Sequence, residues 1–156
     1  MKRKRLGILI ISTFLLSACN TNEPDLESII PDIIEVQIDL PESSPPNEKL
    51  KIPVNVTQGD EPVDDARDVV IEIWKDQDRE NGFLEEAKHQ SDGLYQIDYT
   101  FEEDGIYLVQ AHVTARDMHS MPTKPIFVGD VSEDEINDFN EAGGAASEQQ
   151  GESKHH

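Results

Sequence analysis

Thiols are nearly absent from this 156-residue sequence, which holds a single cysteine. One cysteine excludes an internal disulfide framework, a Cys-x-x-Cys redox pair and a thiolate metal cluster. Aromatic residues are also sparse at 6%, with one tryptophan. Positive charge is scarce: 13 Lys+Arg stand against 33 Asp+Glu, a formal net charge of −20. Such a surface repels nucleic acid and anionic lipid. No G-x-S-x-G, phosphate-binding or dinucleotide-binding glycine pattern occurs. Ser120 and His119 are adjacent, and sequence neighbours rarely face each other as nucleophile and base. Carboxylates are too abundant for any pair of them to mark a site. Nothing here calls for an enzyme.

What is present begins with an address. Lys2, Arg3, Lys4 and Arg5 form a positive cluster, and 6–16 is an apolar run too short to span a bilayer. Leu16-Ser17-Ala18-Cys19 follows and is similar to a bacterial lipobox, in which the cysteine is lipidated and becomes the first mature residue. The expectation is a lipoprotein signal peptide at 1–18, lipid on Cys19 and a tether at 19–32. The protein would then be anchored to the cell membrane on its extracytoplasmic face. Residues 1–18 carry four of the basic residues and no acidic one, so the mature chain has 9 Lys+Arg, 33 Asp+Glu and a charge of −24.

The segment 33–129 alternates with a period of two. Ile34, Val36, Ile38 and Leu40 form a first strand, and Leu50, Ile52, Val54 and Val56 a second. Val69, Ile71 and Ile73 follow, with Trp74 on the opposite face. A weaker stretch runs over 84–89. Tyr95, Ile97, Tyr99 and Phe101 come next, then Tyr107, Val109, Ala111 and Val113, then Ile126 and Val128. Gln58-Gly59-Asp60, Asp92-Gly93 and Glu103-Asp104-Gly105 are turn chemistry between them. Seven short strands at this spacing predict an all-β, immunoglobulin-like sandwich. Asp104-Gly105-Ile106-Tyr107 resembles the tyrosine corner of such sandwiches. From residue 130 the chain becomes an acidic, mostly disordered tail. Within it, Ser132 and Glu135 have capping-box spacing and promise a short helix.

Every methionine except the first lies within two residues of one histidine, in HVTARDMHSMP: His112, Met118, His119 and Met121. Thioether and imidazole are soft and borderline donors that suit Cu(I). Alternating strand directions bring the second–third, fourth–fifth and sixth–seventh loops to one end, and with them His89. His112 lies on the strand face opposite Val109, Ala111 and Val113. It can join Met118 only if the chain doubles back near Arg116 and Asp117. The first strand starts at the same end, which would put the site on the membrane side. Calcium competes through the acidic residues of 60–68 and through the 76–82 loop, but in that loop the glycine is one place late and Ala87 stands where a glutamate is needed.

EAKHQSDGLYQIDYTFEEDGIYLVQAHV, HVTARDMHSMP and the lipobox together resemble the YtkA-like domain of Bacillus-type lipoproteins, related to the FixH family. The resemblance covers about 33–129. It implies an extracytoplasmic β-sandwich concerned with copper handling or haem–copper oxidase assembly, with His89, His112, Met118, His119 and Met121 as its metal residues and Cu(I) as the favoured ion. Its partners would be the membrane and an oxidase or its assembly factors. The alternative is a metal-free immunoglobulin-like binding or scaffold module of the cell envelope.

Overall fold

A computed structural model describes residues 32–144. The expected signal peptide, Cys19, most of the tether and the end of the tail, including His155 and His156, lie outside the described residues.

Two sheets face each other. In the first, the order is β1 (Ile34–Ile38), β3 (Lys49–Gln58), β8 (Leu94–Thr100), β7 (Lys88–Ser91), with the short β4 (Glu61–Pro62) also on β3. In the second, the order is β2 (Ser43–Ser44), β11 (Thr123–Val128), β9 (Gly105–Ala115), β5 (Asp68–Lys75), β6 (Phe83–Glu86), with β10 (Met118–Ser120) also on β9. All pairs are antiparallel except β2 with β11. This is the expected immunoglobulin-like sandwich. Its main strands other than the fourth follow the predicted alternation, because their inward residues are apolar and their outward ones mostly polar or covered.

The core lies between the sheets. Ile52, Val54 and Val56 of β3 and Tyr95 and Ile97 of β8 meet Val69, Ile71 and Ile73 of β5 and Val109, Ala111 and Val113 of β9. Each buried aliphatic side chain contributes about 1.5–3 kcal/mol through area removed from water. The weak fourth strand has a physical reason for its weakness. It divides at the buried Ala87: β6 pairs with β5 in one sheet and β7 with β8 in the other. No single face is buried along its whole length, so no clean alternation is written into it.

Tyr107 makes the expected corner, its hydroxyl donating to the Glu103 carbonyl at 3.1 Å. Trp74 is buried, at 2% exposure, but not between the sheets. It belongs to a second cluster with Ile106, Leu108 and Phe139, on the outer face of the second sheet. Phe139 comes from α1 (Glu133–Glu141), whose capping box is complete: Ser132 Oγ accepts from the Glu135 amide, and the Glu135 carboxylate accepts from the Ser132 amide. The start of the acidic tail is thus a docked helix that covers one end of that outer face.

Candidate functional site

The site begins with a turn. Ala115 pairs with Met118, so the hairpin between β9 and β10 has a two-residue loop, Arg116 and Asp117, both at positive φ (51° and 60°). That is the mirror-type turn whose twist suits a two-residue hairpin, here built without glycine. The chain therefore doubles back where His112 required it to. The turn also fixes register, and register fixes which side chains share a face. His119 pairs with Thr114 and Ser120 with Val113, and the same register resumes at Thr123 opposite Gln110. Between these lies Met121, opposite His112.

Hydrogen bonding refines this. The Ala111 amide donates to the Pro122 carbonyl at 3.0 Å, which makes that a hydrogen-bonded pair. Its neighbour, His112 with Met121, is then a non-hydrogen-bonded pair, the type with the closer side chains, about 4.5 Å between Cα atoms. His119 stands on the diagonal from His112, within about 7–8 Å. His112, His119 and Met121 thus occupy one face, the outer side of the second sheet. Met118, of opposite parity, is half-buried and packs against the inter-sheet core.

His89 goes elsewhere. It sits on β7 opposite Tyr95, with the two rings 5.0 Å apart. Its Nε2 is 2.8 Å from Asp64 Oδ1, which also accepts from the Gly93 amide at 2.7 Å. The Gly93 amide, and then His89, hold the Asp64 carboxyl below its ordinary range. This group lines an open cleft of about 520 Å³ with Tyr95, Ala87 and Arg67. The expected convergence of loops is real: Arg116 bonds Asp65 at 3.0 Å and Gln58 at 3.3 Å, and Gln58 in turn bonds the Asp32 carbonyl at 2.7 Å. The loop cluster, however, gathers ion pairs. Of the five predicted metal residues, three share a face, one faces the core and one is paired with a carboxylate at the open sheet edge.

Beside His112 lies a polar network that sequence reasoning missed. Glu72 is 9% exposed and Gln110 3% exposed, on neighbouring central strands. Arg79, from the short 3₁₀ turn Arg79–Asn81, donates to both carboxylate oxygens of Glu72 at 3.0 and 2.7 Å, and to Gln110 Oε1 at 2.7 Å. Its guanidinium lies 4.5 Å from the centre of the Trp74 ring. Gln110 donates onward to Thr123 at 2.8 Å. His112 Nε2 is 2.8 Å from Glu72 Oε2, and His119 Nδ1 is 3.0 Å from Thr114 Oγ1. The Arg79 fork above all, with His112 behind it, holds the Glu72 carboxyl below its usual range against the opposing effect of burial. The signal in the sequence was a charged residue at an outward position inside an apolar run, Val70-Ile71-Glu72-Ile73-Trp74.

Among the described residues, no three His, Cys, Asp or Glu side chains gather closely enough to hold a metal ion. A metal on this outer face would therefore depend on the thioether. Neutral imidazole nitrogens with one exposed thioether are a donor set of the kind Cu(I) accepts. Three of the acidic residues in 60–68 have protein partners: Asp64 as above, Asp65 with Arg116, and Asp68 with Arg67 at 2.9 Å.

Fold and face together define an immunoglobulin-like sandwich carrying an imidazole–thioether surface on its second sheet. The model of the YtkA-like family matches residues 31–112, and the chain belongs to that family. No curated protein matches the chain in sequence. Among solved structures it is similar to Salmonella alpha-2-macroglobulin in a mutant form, with 16% identity and a TM-score of 0.49, covering 64% of this chain and 6% of that one. It is also similar to superoxide reductase (neelaredoxin) from Ignicoccus hospitalis, with 10% identity and a TM-score of 0.43, covering 68% and 88% of the two chains. A third likeness is to a CARDB domain from Pyrococcus furiosus in complex with di-metal ions, with 16% identity and a TM-score of 0.40, covering 63% and 88%. The sandwich is read from its own sheet topology rather than from these likenesses.

Proposed function

We infer that this protein is a membrane-anchored, extracytoplasmic copper-binding lipoprotein, a copper chaperone or accessory factor for assembly of a haem–copper oxidase. It is not an enzyme in this reading. Its anchor is lipid on Cys19, its ion is Cu(I), and its partners are the oxidase or that enzyme's assembly factors. The observation that carries the reading is the hairpin parity that sets His112, His119 and Met121 on one face. Each imidazole has one nitrogen engaged by a neighbour, Glu72 or Thr114, and one left to bind. A site of two imidazoles and one thioether is open on its solvent side, because His119 and Met121 are both exposed. Such openness suits an ion that must be handed on. Further support comes from the start of β1, which lies at the same end as the hairpin turn.

The test is competition against a Cu(I) chelator. Wild type should bind one Cu(I), and a His119→Ala/Met121→Leu double variant should bind far more weakly while remaining folded. Equal affinity of the two proteins sinks the copper reading.

The second reading is the metal-free envelope module, and it has its own observation. The network around Glu72 is satisfied by protein groups alone, so His112 has a structural partner without any ion. In that case copper binding is weak and indifferent to the double variant.

A further inference from the structure

The 76–82 loop has the acidic spacing of a cation loop, yet its contribution to the fold is a guanidinium. The chain turns through Arg79–Asn81, and Asn81 ties back to Asp78 at 2.7 Å. Gly82 closes the turn where a Cβ would come within 2.9 Å of the Arg79 carbonyl. The result is Arg79 laid over Trp74 with both arms on Glu72. An ion pair alone would need no more than these two residues. Here the same Glu72 oxygen that accepts from Arg79 at 2.7 Å also meets His112 Nε2 at 2.8 Å.

We propose that the Arg79–Glu72 pair is a positioning device for His112. It holds the ring with Nε2–H toward the carboxylate and leaves Nδ1 as the nitrogen available to a soft metal ion. The proposal rests on the copper reading of this face and adds the residues that regulate it. A carboxylate gripped by a guanidinium fork only accepts hydrogen bonds, so the proton between Glu72 and His112 belongs to Nε2. A neutral ring with that tautomer has its lone pair on Nδ1. A carboxylate behind a ligating histidine fixes ring orientation and raises its basicity, and losing it typically costs about 10–100-fold in metal affinity. Gln110 secures Arg79 from the other side and is itself held by Thr123, so the device reaches across β5, β9 and β11. Neither Arg79 nor Glu72 touches the ion. They are positioning residues that let the β5–β6 loop set the strength of a site borne by β9 and the segment after it.

The experiment combines NMR of the metal-free protein with Cu(I) competition. In wild type, the ring ¹⁵N shifts of His112 should show one tautomer, protonated at Nε2, with a slowly exchanging Nε2–H signal. In Glu72→Gln the neutral amide can donate to or accept from the ring, so that signal should be lost or the tautomer mixed. Cu(I) affinity should fall about 10–100-fold. Arg79→Lys keeps the charge but loses the fork, and should shift both readouts the same way, which covers the case of an unfolded Glu72 variant. A wild-type ring protonated at Nδ1 overturns the proposal. So do variants that match wild type in affinity and tautomer while wild type binds Cu(I). A wild type that binds no Cu(I) sinks the copper reading itself and this proposal with it.

Discussion

The parity of the β9–β10 hairpin makes two methionines three residues apart unequal, and stability measurements can read that inequality without any metal. Met118 is half-buried against a cluster that includes Ala115, which is 2% exposed. Met121 is 36% exposed. Truncating a fully buried methionine to alanine costs about 2–5 kcal/mol. Met118 is the less exposed of the two and packs on the core, so its truncation should fall near the lower end of that range, about 2 kcal/mol. Met121 has no place in that cluster and keeps more of its surface in water, so its truncation should cost less. Met118→Ala should therefore lower the urea midpoint further than Met121→Ala does, both with an unchanged slope. Met118→Leu, which keeps volume, should lose less than about 1.5 kcal/mol. A one-residue slip in register would exchange the two residues between faces. Equal losses, or a larger loss at Met121, would refute the register on which the candidate site stands.

Three further outcomes follow from the fold. Tyr95→Phe removes a buried hydroxyl that donates to the Val63 carbonyl and accepts from the Ala66 amide, so it should cost about 1–3 kcal/mol, and more than Tyr107→Phe, whose corner bond is exposed. Phe139→Ala should release α1, because Phe139 is its buried anchor and a nine-residue helix does not persist alone; loss of amide protection confined to 133–141 is the readout, and unchanged protection contradicts it. The Ser132 hydroxyl and amide hold the Glu135 carboxyl below the ordinary glutamate value. Its contribution to α1 is therefore full above that ordinary value and is lost as pH falls through the lower folded one. Helix fraying on acidification should be blunted in Glu135→Gln, which keeps the capping geometry without a titrating carboxyl; equal fraying of the two proteins contradicts this.

Much of the sandwich was legible because its inward positions are apolar at a strict period of two, as along Ile52, Val54 and Val56. The tyrosine corner was legible because it is local, spanning Glu103 to Tyr107. The fourth strand was faint because a chain that changes sheets at Ala87 has no constant buried face. The place of Trp74 depended on α1, a partner distant in sequence. At the site, the residue types were visible and their grouping was not. Arg116-Asp117 lacks the Asn-Gly signature of a mirror-type turn, so the register that divides Met118 from Met121 could not be assigned from the residues alone. His112 looked the least certain of the five because an extended chain puts it about 20 Å from Met118; the turn folds it back opposite Met121. Glu72 and Arg79 meet His112 and Gln110 only through the pairing of β5 with β9, which no local pattern encodes.

X-ray absorption at the copper edge of the Cu(I)-loaded protein tests the central claim most directly. The account predicts one sulfur and two nitrogen scatterers, with the sulfur lost in Met121→Leu and retained in Met118→Leu. Two sulfurs in wild type, or a sulfur that survives Met121→Leu, would contradict it.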